Sequence, residues 1–152
     1  MDQLAAQLHA VGLLTHERVA ACNRVELLGL ELDGECHQAV PTSKRLIRLD
    51  IAISAVLRRR RLRGDHLERL LGHLTFVFLL RRPFLSVFNA VYKFVRSSYT
   101  EASVMWKTVR DELECARGLL PLVRADWKAA WSPRVFASNA YKEGWAAGSR
   151  WT

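Results

Sequence analysis

Five arginines fall within six positions, Arg58, Arg59, Arg60, Arg61 and Arg63, and Arg81 and Arg82 follow further along. Guanidinium forks match phosphate oxygens, and cations arrayed on a polyanion release its counterions, so the chemistry these residues offer is phosphate gripping. A solvated helix end is the competing reading, because a helix C-terminus favours arginine through its dipole. Four like charges in a row repel one another, however, and a phosphate backbone relieves that repulsion. Aromatic residues interleave with the later cations, at Phe84, Phe88, Tyr92-Lys93-Phe94 and Arg96. Their helical spacing assigns most of them to a core and leaves Tyr92, Lys93 and Arg96 as contact residues.

Other chemistries find little support. Cys22, Cys36 and Cys115, with His16 or His37, lack the paired C-x-x-C or H-x-x-x-H spacing that holds zinc, so no metal is expected. There is no strand-elbow G-x-S-x-G and no glycine-rich phosphate loop. His73 sits among apolar neighbours and reads as a hydrogen-bonded core histidine. No small-molecule substrate is expected.

The charge is unevenly distributed, which narrows the partner. Residues 1–43 carry 2 Lys/Arg against 6 Asp/Glu, residues 44–96 carry 13 against 3, and residues 97–152 carry 8 against 6. The middle segment thus holds the whole excess of the net +8, a localised surface for a polyanion.

The elements that must position these residues follow from periodicity. Leu4, Leu8, Val11 and Leu14 predict a short helix over 3–14. Two strands, 25–32 and 36–40, are expected to fold back at Asp33-Gly34, with Pro41 closing the hairpin. A helix is expected over 43–62, ending in the arginine run, and a second through Leu80, opened by Asp65 with reciprocal support from Glu68. Arg81-Arg82-Pro83 should break it before a third helix over 85–95. Ser98 and Glu101 repeat the capping spacing for a fourth, running to about Leu120. Arg134 to Ser138 and Gly144 to Trp151 read as a final hairpin with an uncovered apolar edge, as of a truncated sheet.

With 152 residues, half of them apolar, the chain can bury a core. Its longest nearly unbroken apolar run, Leu74 to Leu80, falls short of the roughly 20 residues of a membrane helix, and Met1-Asp2-Gln3 lacks a cationic leader. The expectation is an intracellular protein, cytoplasmic or nuclear, with free thiols and no membrane partner.

Four stretches in order resemble one family. Leu27 to Gly34, LLGLELDG, is similar to the "LG" primer-grip hairpin at the end of a reverse transcriptase palm. Pro41 to Arg45 and the helix after it resemble the passage from palm to thumb. Leu70 to Phe76, LLGHLTF, followed by Arg81-Arg82-Pro83, resembles the thumb of retroelement polymerases. Val135 to Trp145, VFASNAYKEGW, looks like the first strand and turn of a ribonuclease H domain. The nearest relatives so implied are polymerase polyproteins of retrotransposons of the DIRS or gypsy type.

The resemblance implies an α+β fold, predominantly helical: a palm-end remnant over 1–43 with a short β-hairpin, a basic helical thumb over 44–98, a helical connection over 99–133, and an incomplete ribonuclease H-like hairpin over 134–152. It implies RNA-directed DNA synthesis by the parent protein and, for this chain, a grip on an RNA–DNA or DNA duplex beside the remainder of the polyprotein. Leu28 and Gly29 would stand near the primer end. Arg58 to Arg61, Arg63, Arg81, Arg82, Tyr92, Lys93 and Arg96 would hold the duplex, and Arg59→Ala with Arg61→Ala would flatten the salt dependence by about two. The family's chemistry uses two divalent ions, Mg, on carboxylates. Its polymerase aspartates lie outside this sequence, and Asn139 stands where the first ribonuclease H aspartate belongs, so no cofactor and no catalysis are expected of this chain alone. The alternative is a non-enzymatic basic helical module that binds nucleic acid or an acidic protein.

Overall fold

The computed structural model describes residues 2–13, 22–130, 132–141 and 144–151. Leu14, His16 and the Lys142-Glu143 connection lie outside them. The structure is mixed α+β, about 53% helix and 22% strand, so helices set the architecture and small sheets flank them.

After a first helix α1 (Asp2–Ala10), the chain forms an antiparallel meander of β1 (Arg24–Leu27), β2 (Leu30–Asp33) and β3 (Gln38–Pro41). The long strand expected over 25–32 is therefore folded in half. Leu28 at φ 54° and Gly29 at φ 75° make a two-residue turn, with Leu27 facing Leu30 across it. Asp33-Gly34 does start the second turn, where Asp33 Oδ1 accepts from the N–H groups of Glu35 and Cys36 at 2.9 and 2.8 Å.

Thr42 opens α2 (Ser43–Leu57), its hydroxyl accepting from the Arg45 N–H at 3.3 Å. The helix stops short of the arginine run expected in its last turns. Arg61–Leu62 instead form a small strand, β4. Next comes α3 (Gly64–Phe78), and the expected cap by Asp65 and Glu68 is not made. Asp65 accepts from the Arg63 guanidinium, and Glu68 from the Tyr99 hydroxyl at 3.0 Å. The helix's free N–H groups are satisfied from a distance: Gly64 donates to the Ser98 carbonyl at 2.6 Å and Asp65 to that of Tyr99 at 3.3 Å. Only glycine permits this approach, since a Cβ at position 64 would overlap the Val95 carbonyl and reach the Ser98 oxygen at 3.0 Å.

A 3-10 stretch, Leu79–Val87, kinks at Arg81 and contains Pro83, so the break falls where expected. It leads into α4 (Ala90–Ser97). Ser98 does not open a further helix. It closes α4 as a buried C-cap, and the chain crosses as β5 (Ser103–Val104), paired with β4, before α5 (Lys107–Leu119) begins. After a 3-10 turn at Leu120–Leu122, β6 (Ala125–Asp126) returns to pair with β3, giving the sheet order β1-β2-β3-β6. The 99–133 segment thereby shares a sheet with residues of the 1–43 segment.

The helices close a ring, α2 on α3, α3 on α4, α4 on α5 and α5 on α2, around a core in which Ile53, Leu67, Leu74, Phe78, Phe94 and Leu113 are fully buried. Side chains of α5 finish its neighbours: the Arg110 guanidinium donates to the Leu57 and Arg59 carbonyls, and the Glu112 carboxylate accepts from the N–H groups of Asn89, Ala90 and Val91. By length and composition the helical run Gly64–Val87 is apolar enough to cross a membrane. Here its Leu67, Leu74, Val77 and Phe78 are inside the ring.

The chain ends in a two-stranded ladder, β7 (Arg134–Tyr141) and β8 (Gly144–Trp151), paired from Arg134↔Trp151 to Tyr141↔Gly144 as expected. All three cysteines are exposed free thiols.

Candidate nucleic-acid interface

The β1–β2 turn is tied to the first turn of α2. Gly29 offers its carbonyl to the Thr42 N–H at 3.1 Å, and the Arg45 guanidinium donates to the Leu28 carbonyl. Arg45 also lies 4.4 Å over the ring of Phe76 on α3, so one side chain joins hairpin, α2 and α3. A Cβ on Gly29 would stand 2.6 Å from Arg45 Nη1, which together with its positive φ explains the glycine.

Beside this junction a groove of about 740 Å³ runs between α2 and α3. Its floor is apolar, from Leu49, Ala52, Val56 and Leu70, while Lys44, Arg45 and Arg48 of α2 face His66, Arg69 and His73 of α3 across it. Glu26 is the one carboxylate in its lining. Lys44, Arg48 and Arg69 form no ion pair or hydrogen bond among the described residues, so their charge is available to a ligand. An apolar floor with cationic walls suits a polyanion that also presents flat or apolar edges.

The residues singled out from sequence divide into those at this groove and those away from it. Leu28 and Gly29 line it, and Leu28 is 73% exposed. The arginine run lies outside the lining, just past Val56 at the C-terminal end of α2, about 20 Å from the hairpin tip along its 15 residues at 1.5 Å each. Two members of the cluster have structural work: Arg61 donates to the Ala102 carbonyl at 3.2 and 2.7 Å, and Arg63 pairs with Asp65 at 2.7 Å. Burial of Asp65 would raise its carboxyl, but the hydrogen bond from Arg63 and the His66 N–H override that and hold it below its ordinary value. Arg58 donates to Ser54 of its own helix at 3.2 Å, whereas the Arg59 and Arg60 side chains extend into solvent. Arg81 covers the Phe84 ring at 5.5 Å, and Arg82 is exposed. Tyr92, Lys93 and Arg96 are exposed on α4, which stands across the ring from α2 and belongs to another surface.

Lys44, Arg48, His66 and Arg69 are not conspicuous in the sequence, Arg45 stands out there only as the end of the Pro41–Arg45 stretch, and His73 only as an expected core residue. His73 is no core histidine: it is exposed and lines the groove, because it falls on the α3 face that carries His66, Arg69 and Leu70. That i, i+3, i+4, i+7 spacing was the available signal.

Asn139 sits on β7 opposite Ala146, and neither β7 nor β8 contains a carboxylate. Among the described residues no group of three or more His, Cys, Asp or Glu is placed to hold a metal ion.

No family model, curated protein or solved structure matches this chain.

Proposed function

We propose that this chain binds a nucleic-acid duplex in the groove between α2 and α3, as the thumb region of a retroelement reverse transcriptase would, and carries neither catalytic centre of that enzyme. The observation that carries the reading is the junction at Arg45. It fixes an exposed hairpin tip, Leu28-Gly29, beside Lys44, Arg48 and Arg69, cations of two helices that form no ion pair among the described residues. Phosphates would lie along Lys44, Arg48 and Arg69, with Arg59 and Arg60 reaching a more distant part of the backbone.

Titration of the full chain with an RNA–DNA hybrid and a DNA duplex of the same sequence tests this reading. Binding of the hybrid that exceeds that of DNA and weakens when Lys44, Arg48 and Arg69 become alanine supports it, because the hybrid differs in groove shape and hydroxyls. Hybrid binding untouched by those three substitutions removes the groove from the interface. A second reading, a free-standing basic module, draws on the helical ring, whose buried cluster runs from Leu49 to Val123 with Leu46 packed against it. Equal affinity for the two duplexes would favour it.

A further inference from the structure

We propose that one face of the β7–β8 hairpin is a stacking platform for single-stranded nucleic acid, separate from the groove. Arg134 pairs with Trp151 across the ladder, and Phe136, two residues along β7, falls on the same face opposite Ser149. Phe136 is 70% exposed and Trp151 66%. The Arg134 guanidinium lies between them, 5.4 Å from the Phe136 ring centre and 5.2 Å from that of Trp151, and its Nε donates to the Ser149 hydroxyl at 3.0 Å. Its two terminal amino groups have no partner among the described residues.

Charge complementarity identifies the occupant. The strands hold no Asp or Glu; Arg134 supplies the positive charge on this face, and Arg150, paired with Val135, adds to it from the opposite face, so the ladder attracts polyanions. Exposed rings flanked by a guanidinium stack on bases whatever their identity, and they need the base faces free. A duplex hides those faces in its own stack, whereas a single strand offers them. The geometry accommodates about two bases, one per ring, with Arg134 on the intervening phosphate.

The test uses the full chain and labelled oligothymidylate, read by fluorescence anisotropy. Phe136→Ala with Trp151→Ala should weaken that binding by about tenfold or more, while Phe136→Tyr with Trp151→Phe, which keeps two aromatic faces, should retain it. An abasic strand of equal length should bind the unsubstituted chain as weakly as oligothymidylate binds the alanine variant. None of these residues belongs to the helical core, so the variants keep that core, and the aromatic-for-aromatic pair and the abasic strand read the platform independently of any change in the ladder. Equal binding of the abasic and base-bearing strands overturns the proposal, as does an alanine variant with unchanged affinity. Conversion of a dimer to a monomer by the alanine variant, with oligothymidylate affinity intact, would assign the face to a contact between two copies and likewise overturn it. Duplex affinity at the groove should not change in any of these variants, so failure of the groove reading and failure of this one are separable.

Discussion

Arg110 and Glu112 stand two positions apart on α5 and complete two different helices: Arg110 supplies donors to the C-terminal end of α2, and Glu112 supplies acceptors to the N-terminus of α4. Two positions on a helix turn the side chains about 200° apart, which lets α5 serve neighbours on opposite sides. The ring is thus held by polar contacts at its ends as well as by its core.

Removal of one of these caps should be costly. Glu112→Ala leaves three amides at the start of α4 without acceptors and is expected to lower stability by about 2 kcal/mol. Amide exchange at Asn89, Ala90 and Val91 should accelerate selectively; unchanged protection there would remove Glu112 from this role.

The hairpin tip offers an opposite prediction. Leu28 holds a left-handed conformation that a branched side chain adopts at a cost, whereas Asn-Gly is the preferred pair for such a turn. Leu28→Asn should therefore raise stability by about 1 kcal/mol, and Gly29→Ala should lower it by a similar amount. Urea unfolding midpoints check both signs.

Acid should loosen the second turn of the meander. The Cys36 N–H, helped by the thiol of Cys36, the Arg24 guanidinium and the Glu35 N–H, holds the Asp33 carboxyl below its ordinary value despite the opposing effect of burial. A lowered folded-state value contributes stability that is complete above the ordinary carboxylate value and is lost as the pH falls through the lowered one. Asp33→Asn should destabilise the protein at neutral pH and flatten the acid limb of its thermal stability. An acid limb identical to that of the unsubstituted chain would show that Asp33 does not set it.

Salt dependence should separate cations that meet phosphate from those that hold the fold. Arg48→Ala and Arg69→Ala are each expected to reduce the slope of log affinity against log salt by about one. Arg61→Ala with Arg63→Ala should leave the slope unchanged and reduce stability instead. The pair Arg59→Ala with Arg61→Ala should therefore lower it by about one, not two.

Local signals carried much of this architecture. The apolar spacing of α2 and α3, the break at Pro83 and the final ladder were all legible. What failed was set by distant parts of the chain. Asp65 and Glu68 have the spacing of a cap, but the carbonyls of Ser98 and Tyr99 take that place once Gly64 lets the backbones meet. Ser98 looks like a helix start and ends one, because β4 and β5 must pair before α5 can begin. The turn at Leu28 was hidden by a leucine where Asn or Gly is the usual signal. At the groove, the cations are single residues on two separate helices, far less conspicuous in sequence than the run Arg58–Arg61, and they become neighbours only when α2 and α3 pack.

The return of β6 to β3 also bears on how the chain is made. Ala39 finds its partner only when Ala125 has been synthesised, so for the several seconds needed to translate the intervening helices β3 presents an unpaired edge to its surroundings. Such an edge recruits other strands. The nascent chain is consequently most vulnerable to aggregation before its helical ring is complete, and slowing translation between β3 and β6 should lower the soluble yield.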